Sequence, residues 1–294
     1  MITTIENKNL SVKIDSLGAQ LNSISLNGRE YLWQGDPKWW PRRAPVLFPI
    51  VGSLRGGQAE SAAGTCRMGR HGLARNLEHK ILRQTAEAVT YELTSTADTL
   101  EQYPYDFRLC MSYRITAPGT LENRFAVTNT GKHPMPFVVG GHPAFQVPAG
   151  QAEGEAFEDY ELRFTKKMTC TSPVLVGKDG LLDFTNQIPV LHNASILPLS
   201  HRLFDHDALV FEQVPNNTIT LIGRKSEHGV RVDFPGFDYL GIWSAAGDAP
   251  FVALEPWTGC STATDEDNCF EHKRGMRSLA PGETAEYAFS ISVF

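Results

Sequence analysis

The chain is predicted to be all-β, a large antiparallel sandwich, on three observations. Apolar residues alternate with polar ones in many short runs, the period of a half-buried strand. Two hairpin signals join such runs. Twenty-five glycines and 18 prolines punctuate a sequence with little helical periodicity.

The elements follow in order. Residues 11–15 alternate. Residues 21–26 run into Asn27-Gly28 and then Tyr31-Leu32-Trp33. Asn-Gly accepts positive φ at both turn positions, so a hairpin is expected there. Residues 108–115 meet 121–127 across Ala117-Pro118-Gly119, giving a second hairpin. Further strands are expected at 219–222, 230–234, 240–243, 251–255 and 286–293. The best helical stretch, 98–103, stops before Pro104, whose missing amide hydrogen and ring clash end a helix. No linker and no repeat divides the 294 residues, so a single domain spanning 1–294 is expected.

Composition narrows the function classes. The net charge of -6 leaves no basic surplus for nucleic acid or an anionic membrane. No apolar run is long enough to span a bilayer. Five cysteines without a Cys-x-x-Cys fit free thiols, and the opening residues lack a secretory pattern; both point to the cytoplasm. Phosphate-loop, dinucleotide, zinc-protease and nucleophile-elbow signatures are absent, so neither a cofactor nor a metal is expected.

Two motifs carry the chemistry. His142 stands in Gly140-Gly141-His142-Pro143-Ala144-Phe145, and Glu255 follows the apolar run 251–254 and precedes Pro256-Trp257. A histidine and a glutamate brought together form an acid–base pair. A carboxylate ending a buried strand is partly desolvated, which raises its pKa. The plainer alternatives are a histidine satisfied in a turn and an acid bonded to backbone amides. His71 lies in a loop with Arg70, Arg75 and Asn76, able to grip a hydroxylated or anionic ligand. Arg43 opens the apolar run 44–50, and Arg42, Arg55 and Arg67 add to the local basic cluster. Asp205 and Asp207 precede a predicted strand and share a side if it is regular.

In this order, the motifs resemble the aldose 1-epimerase (galactose mutarotase) superfamily, with the closest likeness to its LacX-like branch. The stretches that match are Arg43 with 44–52, 71–75, 141–145, 207–211, Leu240-Gly241-Ile242-Trp243-Ser244, 254–257 and 279–283. The resemblance implies a β-supersandwich with an open sugar site. It implies His142 as general acid, entering protonated, and Glu255 as general base. Arg43, His71, Arg75, Asp207 and Trp243 would bind a sugar, with Asp205 as the alternative carboxylate. The implied reaction interconverts the α and β anomers of an aldohexose without a cofactor. The basic loop is also similar to that of the hexose-6-phosphate mutarotase branch, so the sugar partner is expected to be free or phosphorylated. A non-catalytic sugar binder on the same scaffold, or a glycoside hydrolase using Glu255 with Asp207, are the competing readings.

Overall fold

The strand Thr120–Asn129 shows why this chain builds sheets. Its residues alternate between half-exposed and buried along its whole length, so one face seals a core and the other meets water. It pairs with Phe107–Ala117 across Pro118-Gly119, the second expected hairpin. In a computed structural model describing residues 1–294, the chain is about 52% strand and 10% helix, with antiparallel sheets.

The largest sheet has nine strands. From one edge they run Leu181–Pro198, Tyr160–Val176, Thr218–Gly223, Gly229–Asp233, Thr284–Val293, Thr120–Asn129, Phe107–Ala117, Ala88–Thr94 and Lys80–Gln84. A second sheet orders Leu209–Glu212, Tyr239–Trp243, Phe251–Trp257, Gly140–Gly141 and Val46–Leu47, and Ala144–Gln146 also pairs with Phe251–Trp257. A four-stranded N-terminal sheet runs from Ile2–Glu6 to Arg29–Glu30. One apolar cluster of 72 buried residues extends from Ile5 to Val293. No helix is long and apolar enough to cross a membrane. All five cysteines are unpaired.

Several elements depart from the sequence reading. The Asn27-Gly28 hairpin forms, with both residues at positive φ, but its second arm is only Arg29–Glu30. Leu32 instead bridges to Phe145. The helix is Ala97–Gln102, one residue earlier than expected, because Thr96 caps it by accepting the Thr99 amide at 3.3 Å. The expected strand 251–255 extends to Trp257 and is buried throughout. Glu255 is therefore inside a strand rather than at its end. The long hairpin of Tyr160–Val176 and Leu181–Pro198 was not anticipated. Much of its length is exposed and its register slips repeatedly, so the period-two signal is weak.

Candidate active site

Strand register brings the acid and the base together. Phe251–Trp257 runs antiparallel to the two short strands around His142, with Gly140 opposite Trp257 and Ala144 opposite Ala253. The same register sets His142 opposite Glu255. Residues opposite one another in an antiparallel pair project to the same face. Pro143 and Pro256, neither of which has an amide hydrogen to give, sit where the ladder is broken. Tyr239–Trp243 supports the other side, pairing Gly241 with Glu255.

His142 Nε2 lies 3.2 Å from Glu255 Oε1, and the two side chains are only 8% and 2% exposed. His142 Nδ1 and Glu255 Oε2 are buried without partners. Trp40 stacks on the imidazole at 4.8 Å between centroids, while Trp243 and His71 meet it edge-on, each at 5.6 Å. This box leaves the pair little exposed surface.

Burial sets the electrostatics. It pulls His142 down to about 3, helped by the charges of Arg75, Arg70 and Arg42. It pushes Glu255 well above the carboxylate range, helped by the negative charge of Asp207. Both directions oppose the starting state expected from the sequence, a protonated histidine beside an ionised glutamate. Burial acts on both groups in the direction of the neutral pair, with the proton on the glutamate side. The ion pair and the neutral pair contain the same single proton, so they differ only in its position.

His71 is fixed differently. Its Nδ1 accepts the Gly52 amide at 3.1 Å, which places the ring proton on Nε2. Burial, then the neighbouring His142, keeps the ring neutral. Gly52 is required there. It has φ +66°, and a Cβ would fall 2.3 Å from Ser261 Cβ. His71 and Asp207 themselves adopt φ of 68° and 75°. That left-handed conformation costs a non-glycine residue about 1 kcal/mol or more, and such strain gathers at functional sites.

These groups line one cavity of about 480 Å³. Small-molecule sites commonly span roughly 300–1,000 Å³. His142, Glu255, His71, Arg75, Asp207 and Trp243 all reach it, and so does Asp205. Of the two acids Asp205 is exposed and Asp207 half-buried with partners of its own. Asp207 Oδ1 accepts the Ala208 amide at 2.8 Å, and its Oδ2 lies 3.9 Å from Arg70 Nη1. Both acids belong to the turn before Leu209–Glu212, not to a regular strand.

Arg43 is the exception. Its Nη1 donates to Asn22 O at 2.9 Å and to Asn22 Oδ1, tying it to the N-terminal sheet and away from the cavity. Arg42 lines the wall in its place, with Nη2 donating to Asn76 Oδ1 at 2.9 Å. Trp40 was missed as well. Its signal was the Trp39-Trp40 pair between Pro37 and Pro41, too aromatic for an ordinary exposed loop. Leu175 and Leu182, from the unanticipated hairpin, complete a wall. A mixed group of metal-ligand type, Asp267, Cys269 and His272, lies outside the cavity lining.

Comparison with known proteins identifies the family and the fold. The aldose 1-epimerase family profile matches residues 1–291. The plasmid-encoded protein LacX of Lactococcus lactis subsp. lactis is 38% identical, covering 100% of this chain and 99% of LacX. A galactose mutarotase related enzyme from Lactobacillus acidophilus superposes with a TM-score of 0.92 at 34% identity, covering 100% of this chain and 97% of that one. A galactose mutarotase-like protein from Lactobacillus casei ATCC 334 gives 0.89 at 29% identity, with both chains fully covered. The chain belongs to the aldose 1-epimerase family.

Proposed function

We propose that this protein is a mutarotase that interconverts the α and β anomers of an aldohexose by opening and closing the sugar ring. The observation that carries the reading is the isolated His142–Glu255 contact at 3.2 Å on the cavity floor. Sugar hydroxyls entering the cavity that His142 and Glu255 line bring hydrogen-bonding dipoles to the pair, which favours the ion pair. Glu255 then takes the proton from the C1 hydroxyl and His142 gives one to the ring oxygen. The C1–O5 bond breaks and the C1 carbonyl forms. Rotation about C1–C2 exposes the other face, and the reverse transfers close the ring as the opposite anomer. No electrons are gained or lost.

Opening thus converts the ion pair into the neutral pair. Burial favours the neutral pair, so the dry floor favours the transfer itself. His71, a neutral donor, and Asp207 hold hydroxyls, while Trp243 covers an apolar face of the sugar. The test is polarimetry of freshly dissolved α-glucose, with anomer exchange followed by NMR. Catalysed exchange supports the proposal. Sugar binding without any acceleration, across a panel of free and phosphorylated aldohexoses, leaves a binding protein and defeats it.

A further inference from the structure

Away from the cavity, one turn gathers three kinds of metal ligand. The ligand atoms of Asp267, Cys269 and His272 all lie within 4.8 Å of one another. Asp267 Oδ2 is 2.8 Å from His272 Nδ1, and the Cys269 thiol donates to Glu271 Oε2 at 3.3 Å. The sequence carries no familiar metal signature here, because the three residues meet only when the turn folds.

The turn is anchored through the middle of the cluster. Phe270, between the ligands, is fully buried against Tyr103, with ring centroids 6.0 Å apart. Asn268 O accepts the Glu60 amide at 2.9 Å, and Cys269 O accepts the His272 amide at 3.2 Å. Each carboxylate is tethered by one oxygen and presents the other. Asp267 Oδ1 accepts the Cys269 amide at 2.9 Å, leaving Oδ2 to face His272. Glu271 Oε1 accepts the Ala62 amide at 2.8 Å and the Tyr105 hydroxyl at 3.0 Å, leaving Oε2 to face the thiol. Outer hydrogen bonds of this kind orient metal ligands. The side chains of Asp267 and His272 are 58% and 65% exposed, so an ion can enter directly from solvent.

We propose that Asp267, Cys269 and His272 bind a divalent cation of borderline softness, zinc before others. One oxygen, one sulfur and one nitrogen are donors that zinc takes, and the fourth tetrahedral position falls to Glu271 Oε2 or to water. With bonds of roughly 2.0–2.3 Å, the ligand atoms of a tetrahedral zinc lie about 3.3–3.6 Å apart. The cluster therefore needs to close by only about an ångström, through rotation of its exposed side chains. Magnesium and calcium want six or more oxygens, which the turn does not offer. Cys269 binds as the thiolate, its proton passing to solvent, and His272 binds through Nδ1 with its remaining proton on Nε2. No electrons move. The site stands apart from the cavity, so the proposal is independent of the mutarotase reading.

Zinc chloride should be titrated by calorimetry into the full chain after chelator treatment, under a non-thiol reductant. One site with a dissociation constant of about 1 μM or lower is expected. Cobalt should occupy the same site and show the thiolate-to-metal absorption of a cysteine ligand. Cys269→Ser and His272→Ala should each weaken zinc binding more than about 100-fold, beyond the roughly 10- to 100-fold cost of losing a supporting group. Cys170→Ser, at the other half-buried cysteine, should leave zinc binding unchanged. Zinc should raise the Tm of the wild-type chain and not that of Cys269→Ser. Absence of a site at micromolar zinc overturns the proposal. So do equal zinc affinities in Cys269→Ser and wild type, cobalt bound without thiolate absorption, and magnesium bound as tightly as zinc, which would leave only an acidic surface.

Discussion

The floor and the rim of the cavity are built by opposite means. The floor is His142 and Glu255, locked by strand register, buried and boxed by Trp40 and Trp243. The rim is Arg42, Arg70, Arg75 and Asp207, carried on loops and partly open to water. A rigid dry floor suits proton transfer, where distance and desolvation decide the rate. A charged rim on loops suits selection among substrates, because loops change without disturbing the sheet. On the proposed reading chemistry and specificity are separable, and substitutions should divide along that line.

The largest effect is expected on the floor. Glu255→Gln keeps the size of the side chain and removes the base, so exchange should fall by about 10²–10⁴-fold while calorimetric sugar binding survives. Wild-type exchange in this variant would break the assignment. His142→Asn should lower exchange by a comparable or somewhat smaller factor, again with binding retained. Loss of binding in proportion to turnover would make His142 a contact rather than the acid.

The pH profile joins the two regions. The proposed mechanism requires one proton on the pair. Adding a second protonates the histidine, which burial pulls down; losing the first ionises the glutamate, which burial pushes up. The acid limb should therefore fall below the ordinary His value, about 6.5, and the alkaline limb lie above the ordinary Glu value, about 4.3. Asp207 raises Glu255 by repulsion between like charges. Asp207→Asn removes that charge and lowers the glutamate pKa, so the alkaline limb should move to lower pH in the profile of kcat/KM. An unmoved limb would separate rim from floor electrostatically.

The smallest effect is expected outside the cavity. Arg43→Ala should change exchange less than about threefold while costing roughly 1 kcal/mol of stability through the lost bonds to Asn22, measured by urea titration. A collapse of activity with stability intact would return Arg43 to the site.

What could be read from the sequence follows the same division. Alternation revealed Thr120–Asn129 and its partner, since a half-buried strand writes its environment into every second residue. Glu255 was legible as a carboxylate among apolar neighbours. Arg42 and Arg43 were not separable by their neighbours in sequence: adjacent positions face opposite ways, and only the Asn22 contact decides which one meets the cavity. The state of the pair was equally hidden. The Gly-Gly-His-Pro motif says nothing of the tryptophan stacked on its imidazole, and that enclosure opposes the charge on the histidine. The long hairpin escaped because exposure on both faces erases the alternation.

The contact between His142 Nε2 and Glu255 Oε1 has a kinetic consequence. Under the proposed mechanism the proton lost by the sugar at one oxygen is matched by the proton returned at the other, and ring closure restores the starting arrangement. The two side chains and the sugar form a closed proton circuit that borrows nothing from the medium. Uncatalysed mutarotation is hastened by any dissolved acid or base. The enzymatic rate should instead be indifferent to buffer concentration at fixed pH and ionic strength, since the reservoir of protons it draws on is one proton deep and never leaves the floor.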